Sequence, residues 1–215
     1  MREAFDRELE TLHQKLRRMG ELCREAIAAA TQTLWASHPA KKARALEIRI
    51  DAIEEEIGTD CLRLLLLQQP VAVDLRLISA VMKLVSDLER IGDEAADIAE
   101  LAMHLPPAAV QEAAPLRPMA EAVSKMLADS MEAIVCGDCA LARQVQEHDD
   151  IVDRCYLELR RRLLRQIREA PHCSDHYLDL FLIAKYFERM GDHAVNVAEW
   201  AEYALTGHHP RTENK

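Results

Sequence analysis

The sequence predicts an all-α protein made of two tandem, sequence-related three-helix bundles. First, the segment 84–100 returns as 183–199, with seven identical residues among the 17 aligned positions. Second, the chain has only 6 Gly and 4% aromatic residues but 49% hydrophobic residues, a composition that favours helices over strands. A single array of six helices is the alternative arrangement.

Prolines divide the chain into six helices, because a helix interior does not tolerate proline. Single prolines end the first and second helices, and Pro106–Pro107 end the third. Four prolines within 106–118 mark the link between the halves. The predicted helices run, in order, over about 2–37, 40–69, 73–105, 119–136, 139–170 and 174–206. We place the first repeat at 1–107, the second at 115–206 and a polar, disordered tail at 207–215.

Apolar residues recur at alternating steps of four and three residues in the third helix of each half. This spacing forms one continuous apolar seam, as in helical bundles. The seam residues are Leu84, Leu88, Ile91, Ala95, Ile98, Ala102 and Leu105 in the first half, and Ile183, Phe187, Met190, Ala194, Val197, Ala201 and Ala204 in the second. We expect each seam to pack within its own bundle.

Charge and hydropathy limit the classes of partner. The net charge of −10 argues against nucleic acid, because phosphate binding needs a basic surface. The charge is compatible with cations or with a basic partner protein. The N-terminal residues do not resemble a signal peptide, and no apolar run reaches the ~18 residues of a membrane span. We therefore expect a cytoplasmic protein without a transmembrane segment.

The six cysteines are expected to be reduced thiols, as is usual in the cytosol. Cys136 and Cys139 form the one CxxC motif of the chain. Because Gly137 and Asp138 lie between them, we interpret this segment as a turn in which Asp138 caps the following helix. A metal or redox role for the pair is the alternative.

Acidic residues form a stripe on the third helix of each half. At ~100° per residue, Glu89, Asp93 and Asp97 fall within about 80° of one another, opposite the apolar seam. The second helix of each half carries a shorter acidic stripe. The positions that we single out are Glu47 and Asp51 on the second helix, Glu89, Asp93 and Asp97 on the third, Asp149 and Asp153 on the fifth, and Glu188, Asp192 and Asn196 on the sixth.

The acidic stripes have two explanations. Acids at this spacing repel one another by roughly 0.2–0.5 kcal/mol per pair, and a bound cation relieves the repulsion. Carboxylates suit magnesium, manganese or calcium, and iron or zinc can also bind without histidine. A solvated charged face gives the same spacing, but the recurrence of the acids in both halves favours metal. We expect Arg90 and Arg189 to lie away from the stripes. His148 and His193 are expected to point past them.

Gly92 and Gly191 occupy matching positions in the middle of the two third helices. A glycine in a helix interior costs roughly 1 kcal/mol relative to alanine. Two explanations stay open: close approach of a neighbouring helix, or crowding beside the acids.

Two long motifs resemble those of the PhoU family of phosphate-uptake regulators. The first is the connector QQPVAVDLR at 68–76 with DLERIGD at 87–93, and the second is ERMGDHA at 188–194. The resemblance extends over about residues 5–205. The second half has PHCSD at 171–175 in place of the connector, so we do not expect the halves to be functionally equivalent.

The resemblance implies a cytoplasmic protein of two tandem three-helix bundles, often a homodimer, without catalytic activity. Members repress the phosphate-starvation response and restrain phosphate uptake. They link the ATPase subunit of the phosphate ABC transporter to a sensor histidine kinase at the membrane. Peripheral association with these membrane complexes, and no nucleic-acid partner, is therefore expected.

The resemblance also implies metal clusters, iron among them, held by E(D)xxxD motifs. It assigns the role of ligand to the ten positions singled out above, with iron, zinc, manganese or magnesium as the metal. Asn196 departs from the all-acid pattern, and we expect it to weaken the second site by one charge.

Two other functions stay open. One is an acidic helical interaction module that works without metal. The other is a carboxylate-bridged di-iron enzyme, which needs Glu-x-x-His pairs that face the core of a helical bundle. No such pair lies on either acidic stripe, which disfavours the enzyme.

Overall fold

The computed structural model describes most of the chain. The described residues are 2–36, 39–68, 70, 72–106, 109–110 and 113–208. Residues 209–215 of the predicted disordered tail and parts of the predicted 106–118 link lie outside the described residues. Nearly all of the described residues are helical, and no strand occurs among them. The predicted all-α class is confirmed.

Six long helices account for the described fold. They are α1 (Arg2–Ala36), α2 (Lys41–Gln68), α3 (Val73–Ala102), α4 (Leu116–Cys136), α5 (Cys139–Glu169) and α6 (Ser174–Thr206), with a short 3-10 turn at Pro171–Cys173. No helix in the described ranges is long and apolar enough to cross a membrane.

Two predicted helix ends differ from the structure. α3 ends at Ala102, before the proline pair, because the amides of Met103 and His104 bond to carbonyls three residues back and tighten the chain into a turn. α4 begins at Leu116, so Pro118 lies inside its first turn. Proline is tolerated there, because the first amides of a helix have no partner within the helix.

The helices form two three-helix bundles, as predicted. α1, α2 and α3 pack on one another, and α4, α5 and α6 do the same. The buried apolar side chains of both bundles belong to one continuous core. The fold therefore has the two separate bundles that we predicted, and it also has the single core that the alternative array of six helices would have.

The bundles are joined chiefly by α3, which packs along α6. The two helices are antiparallel, because Asp87 contacts Asn196 whereas Glu94, about two turns further along α3, contacts Arg189. α3 is therefore enclosed on several sides, and Glu94 is only 3% exposed. The side of α3 away from its seam stays partly open to solvent, because the stripe acids there are half-buried.

The turn between α4 and α5 confirms the predicted cap. Gly137 has a φ of 72°, in the left-handed region that favours glycine. The Asp138 carboxylate accepts hydrogen bonds from the amides of Ala140 and Leu141 at 2.9 and 3.1 Å. Cys136 and Cys139 are free thiols in this turn.

Arg76, the last residue of the QQPVAVDLR connector, joins the start of α3 to the end of α6. Its Nε donates to the carbonyl of Ala204 at 3.1 Å, and its Nη2 donates to the carbonyl of Leu205 at 3.3 Å. The last carbonyls of a helix lack partners within the helix and carry negative partial charge, so a guanidinium stabilises them.

We predict that Arg76→Ala lowers the free energy of unfolding by about 1 kcal/mol, because two helix-end carbonyls lose a charged donor. Urea titration followed by circular dichroism measures the change. Arg161→Ala, which removes an exposed arginine of α5, is the matched control. Equal losses in the two variants would show that Arg76 does not act as a cap.

Candidate functional site

The first candidate site lies where α2 packs on α3. Glu89 and Asp93 are one helical turn apart on α3, and Asp51 approaches them from α2. One carboxylate oxygen from each of these three residues lies within 4.8 Å of the other two. Asp51 is exposed, whereas Glu89 and Asp93 are half-buried. Three oxygen donors at this separation could contact one cation.

Glu47 lies one turn before Asp51 on α2 and is 8% exposed. Its Oε1 pairs with Nη1 of Arg44 at 2.9 Å, while its Oε2 is buried without a hydrogen-bond partner among the described residues. Burial raises the pKa of Glu47, and the charges of Asp51, Asp93 and Asp97 raise it further. The five positions singled out in the first half therefore lie in one patch.

Burial also raises the pKa of Glu89 and of Asp93, and each group's acidic neighbours add to the rise. Asp93 raises the pKa of Glu89, and Asp51 raises the pKa of Asp93. These carboxylates are harder to ionise than exposed acids because they lose water and repel one another. A cation bound among them would remove this repulsion.

Arg90 does not lie away from the stripe, so that expectation was wrong. Its Nη1 is 3.2 Å from Oδ2 of Asp93, and its Nε is 3.4 Å from Oε2 of Glu89. A helical wheel gives the direction of the Cα–Cβ bond, and the long arginine side chain bends back from there. Arg90 is exposed and supplies part of the positive charge that the cluster needs.

The second candidate site lies at the matching place, where α5 packs on α6. Burial raises the pKa of Asp149 to about 6, and the charges of Asp153 and Asp192 contribute to the rise. Glu188 adds to this field and also pairs with Lys185. These four acids are near one another, but within the described residues only the first-half trio has oxygens as close as 4.8 Å.

Asn196 and His193 contact the other bundle. The Nδ2 of Asn196 donates to Oδ1 of Asp87 at 2.9 Å, and Nδ1 of His193 lies 2.8 Å from the same oxygen. His193 thus points past the acidic stripe, as expected, and reaches across the contact between α3 and α6, which we call the α3–α6 joint. The Nδ1 of His148 lies 2.9 Å from the carbonyl of Gln144 on its own helix.

The two matching glycines serve different purposes. A Cβ on Gly92 would lie 2.8 Å from Cδ1 of Ile50, so this glycine lets α2 and α3 approach closely. A Cβ on Gly191 would lie 3.1 Å from Oδ1 of Asp149, so this glycine makes room for a carboxylate of the second cluster. Close approach of a neighbouring helix thus explains Gly92, and crowding beside the acids explains Gly191.

Glu94 is the residue that the sequence did not single out. Burial raises its pKa to about 7, although His193 and Arg189 oppose the rise. The Nε of Arg189 lies 2.9 Å from Oε1 of Glu94, and Nε2 of His193 lies 3.7 Å from the same atom. Glu94 and His193 occupy aligned positions of the repeat, so the two copies of the repeated segment meet at this point. Their alignment was the one feature of the sequence that could have pointed to this contact.

The fold and the two acidic clusters define a class: helical proteins of two repeats that each carry carboxylates on their second and third helices. The PhoU domain matches residues 16–102 and again 116–201, and the chain belongs to the PhoU family. The resemblance seen in the motifs is confirmed.

Relatives and solved structures agree over nearly the whole chain. The phosphate-specific transport system accessory protein PhoU homolog of Synechocystis is 37% identical over 212 residues, covering 96% of this chain and 93% of that protein. The crystal structure of PhoU from Pseudomonas aeruginosa has a TM-score of 0.88 and 34% identity, covering 95% of this chain and 100% of that one. The phosphate transport system regulatory protein PhoU from Streptococcus pneumoniae has a TM-score of 0.84, with 28% identity over 95% of this chain and 98% of that one.

We predict that Asp149→Asn stabilises the metal-free protein above about pH 6. The folded-state pKa of Asp149, about 6, is higher than its ordinary value of 3.8. The folded wild type therefore binds more protons than the unfolded chain between these values, and loses stability as the pH rises from about 4 to about 6. The asparagine variant avoids this loss, which is about 1 kcal/mol after allowance for partial exposure.

Urea unfolding of both proteins across that pH range, with metal removed by a chelator, measures this difference. Glu147→Gln on the exposed side of α5 is the matched control. A stability difference that does not change between pH 4 and pH 6 would contradict the assignment to Asp149.

Proposed function

We propose that this protein is an accessory and regulatory protein of phosphate transport. The observation that carries the proposal is the PhoU domain in both halves of the chain. It is supported by relatives of nearly equal length that are named for the phosphate-specific transport system. The Streptococcus structure, named as a regulatory protein, supports the regulatory part.

In the finer form of the proposal, the protein is a negative regulator of the phosphate-starvation response. It would act without catalysis, as a cytoplasmic homodimer peripherally associated with membrane complexes. Its partners would be the ATPase subunit of the phosphate ABC transporter and a sensor histidine kinase. Two related bundles fixed by one shared core suit such an adaptor, because they hold two surfaces in a constant relation.

We propose further that each bundle binds metal through its carboxylates. The donors fit a hard cation, because they are all oxygens, they repel one another, and Oε2 of Glu47 is buried without a partner among the described residues. Iron, zinc, manganese or magnesium would suit the set. The proposed ligands are Glu47, Asp51, Glu89, Asp93 and Asp97 in the first bundle, and Asp149, Asp153, Glu188, Asp192 and Asn196 in the second.

The two proposed sites differ in strength. The first has three oxygens within 4.8 Å of one another and a buried fourth acid. In the second, the amide of Asn196 already donates to Asp87 across the joint, and Lys185 pairs with Glu188. We therefore expect the first bundle to bind metal more tightly than the second.

A bound metal would supply positive charge that offsets the repulsion among the acids. The chain's own residues would then determine the outer surface that partners contact. Asp51 would hold α2 against α3, and Asp149 would hold α5 against α6. The angle between the second and third helix of each bundle would thereby depend on occupancy.

A metal-independent acidic interaction module is the second candidate function. A specific observation favours it: arginine and lysine side chains already pair with acids of both clusters. Arg44 pairs with Glu47, Arg90 pairs with Asp93, and Lys185 pairs with Glu188. These pairs neutralise part of the charge without a metal. Their cations are exposed, and pairs with exposed cations at a protein surface contribute only ~0–1 kcal/mol each.

We predict that the untagged protein binds metal in stoichiometric amount and that Asp51→Asn/Asp93→Asn removes the metal of the first bundle. Both substitutions keep the side-chain volume but delete the negative charge that the cation requires. Elemental analysis counts the metal per chain. Pull-down assays with the purified transporter ATPase subunit and with the sensor kinase, before and after chelation, then test whether metal controls docking.

The matched control is Glu55→Gln/Glu147→Gln, which removes two exposed acids outside the clusters. Metal-free protein that still binds both partners would support the metal-independent module. Failure to bind either partner, with metal present or absent, would contradict the adaptor proposal itself.

A further inference from the structure

The second half of α5 is basic, although the protein as a whole is acidic. Residues 160–168 include five arginines and no acid, and Glu158 and Glu169 flank this segment. In the first half of the same helix, residues 147–153 include four acids and neither lysine nor arginine. The charges of α5 are therefore segregated along its length, with the acids of the second proposed metal site towards one end and the arginines towards the other.

Most of these arginines lack an acidic partner. Four of them are exposed and make no ion pair with another described residue: Arg160, Arg161, Arg165 and Arg168. At ~100° per residue they fall within about 140° of one another, on the side of α5 away from the buried Leu159 and Leu163. Glu158 and Glu169 fall just beyond one edge of this arc. Positive charges without partners within the chain favour a negatively charged partner outside it.

Large apolar side chains lie among these arginines. Leu157 and Leu164 are two turns apart on α5, inside the same arc, and are 43% and 48% exposed. Each of these leucines has much of its apolar surface in water, so burial against a partner would be favourable.

The start of α6 extends this surface. The ring of Phe181 contacts that of Tyr156 on α5, with the ring centres 5.8 Å apart. Leu178 and Leu182, on the exposed side of α6 next to Phe181, are 52% and 43% exposed. We call the exposed side chains of residues 157–168, together with Leu178 and Leu182, the basic–apolar face.

Two acids of α6 border this face without interrupting it. Relative to Phe181, Asp175 and Asp179 are turned by about 120° and 160° around α6, further from α5 than the two leucines are. The leucines therefore separate these acids from the arginines.

The shape of the basic–apolar face limits its partners. A partner helix binds in a groove between helices. The cavity of about 410 Å³ on this part of α5 is lined by residues of α5 alone, so it is a depression on one helix and not a groove. The outward side of a helix is convex. A convex surface with exposed leucines among arginines suits a membrane, because leucine enters the headgroup region while the long arginine side chain keeps its charge at the lipid phosphates.

We propose that the basic–apolar face binds directly to a membrane surface that contains anionic lipids. The arginines pair with headgroup phosphates, and Leu157 and Leu164 insert between the headgroups. The net charge of −10 does not prevent this, because charges further away than about 8 Å are largely screened at physiological ionic strength. The inference deepens the peripheral membrane association proposed above and rests on it for the presence of a membrane beside the protein. None of the proposed metal ligands belongs to the face.

Flotation of the full-length, untagged protein with lipid vesicles tests this proposal. Vesicles of mixed phosphatidylglycerol and phosphatidylcholine are compared with vesicles of phosphatidylcholine alone. A chelator is present throughout, so that no cation bridges the acids of the protein to the lipid phosphates. We expect binding to the mixed vesicles to be about tenfold tighter or more, and to weaken as salt is added.

Two double variants separate the contributions of charge and apolar contact. Arg161→Glu/Arg165→Glu is expected to weaken binding to the mixed vesicles by about tenfold or more, because two attractive charges become repulsive. Leu157→Ser/Leu164→Ser is expected to weaken binding as well, while the dependence on salt remains because the arginines are still present.

The matched control is Arg17→Glu/Arg24→Glu, which makes the same charge change at two exposed arginines of α1 and is expected to leave vesicle binding unchanged. Circular dichroism verifies that all variants are folded.

Three results would overturn the proposal: no binding to either kind of vesicle, equal binding to both kinds, or equal losses in the α1 and α5 arginine variants. Pull-down assays with the transporter ATPase subunit and the sensor kinase then show which proposal has failed. If the wild type does not bind vesicles and Arg161→Glu/Arg165→Glu loses one of these proteins, the face binds an acidic protein surface instead. If both proteins still bind, only the lipid proposal is contradicted and the proposed function stands.

Discussion

The antiparallel packing of α3 on α6 is the interaction on which the rest of the structure depends. It joins the two bundles into one core and places Glu94, with its pKa raised to about 7, beside Arg189 and His193. Charged groups are costly to bury, and removal of one partner leaves the other uncompensated, so such contacts disfavour other registers of the two helices. Arg76 adds a second link, because it reaches from the start of α3 to the last carbonyls of α6.

This joint also fixes the two acidic clusters. Asp93 immediately precedes Glu94, and Asp192 immediately precedes His193, so each cluster contains a residue whose neighbour lies in the joint. α2 packs on α1 and α3, and α5 packs on α4 and α6, so the clusters form on separate sides of the shared core. The α3–α6 contact thus holds two acidic surfaces in one relation to a single core.

The prolines, the repeat and the seam periodicity together predicted the six helices, the two bundles and the approximate grouping of the acids. The α3–α6 joint was not predictable, because each seam indicates one buried face and gives no sign of a second. The partner of Asn196 is Asp87, 109 residues earlier, and no local spacing could reveal it. The contact of Arg90 with the first cluster escaped the helical wheel, because the wheel ignores the reach of a long side chain. The burial of Glu94 was not predictable either, because it is the packing of α6 on α3 that covers this residue.

Unfolding with one tryptophan probe in each bundle tests most directly whether the joint makes the bundles a single unit. Trp35 in α1 and Trp200 in α6 are monitored one at a time in Trp200→Phe and Trp35→Phe proteins during urea titration. Leu159→Ala, which truncates a fully buried side chain of α5, then destabilises the second bundle by about 2–5 kcal/mol. If the joint makes the bundles one cooperative unit, both tryptophan midpoints coincide and fall together in the Leu159→Ala background. A fall of the Trp200 midpoint with an unchanged Trp35 midpoint would contradict the account.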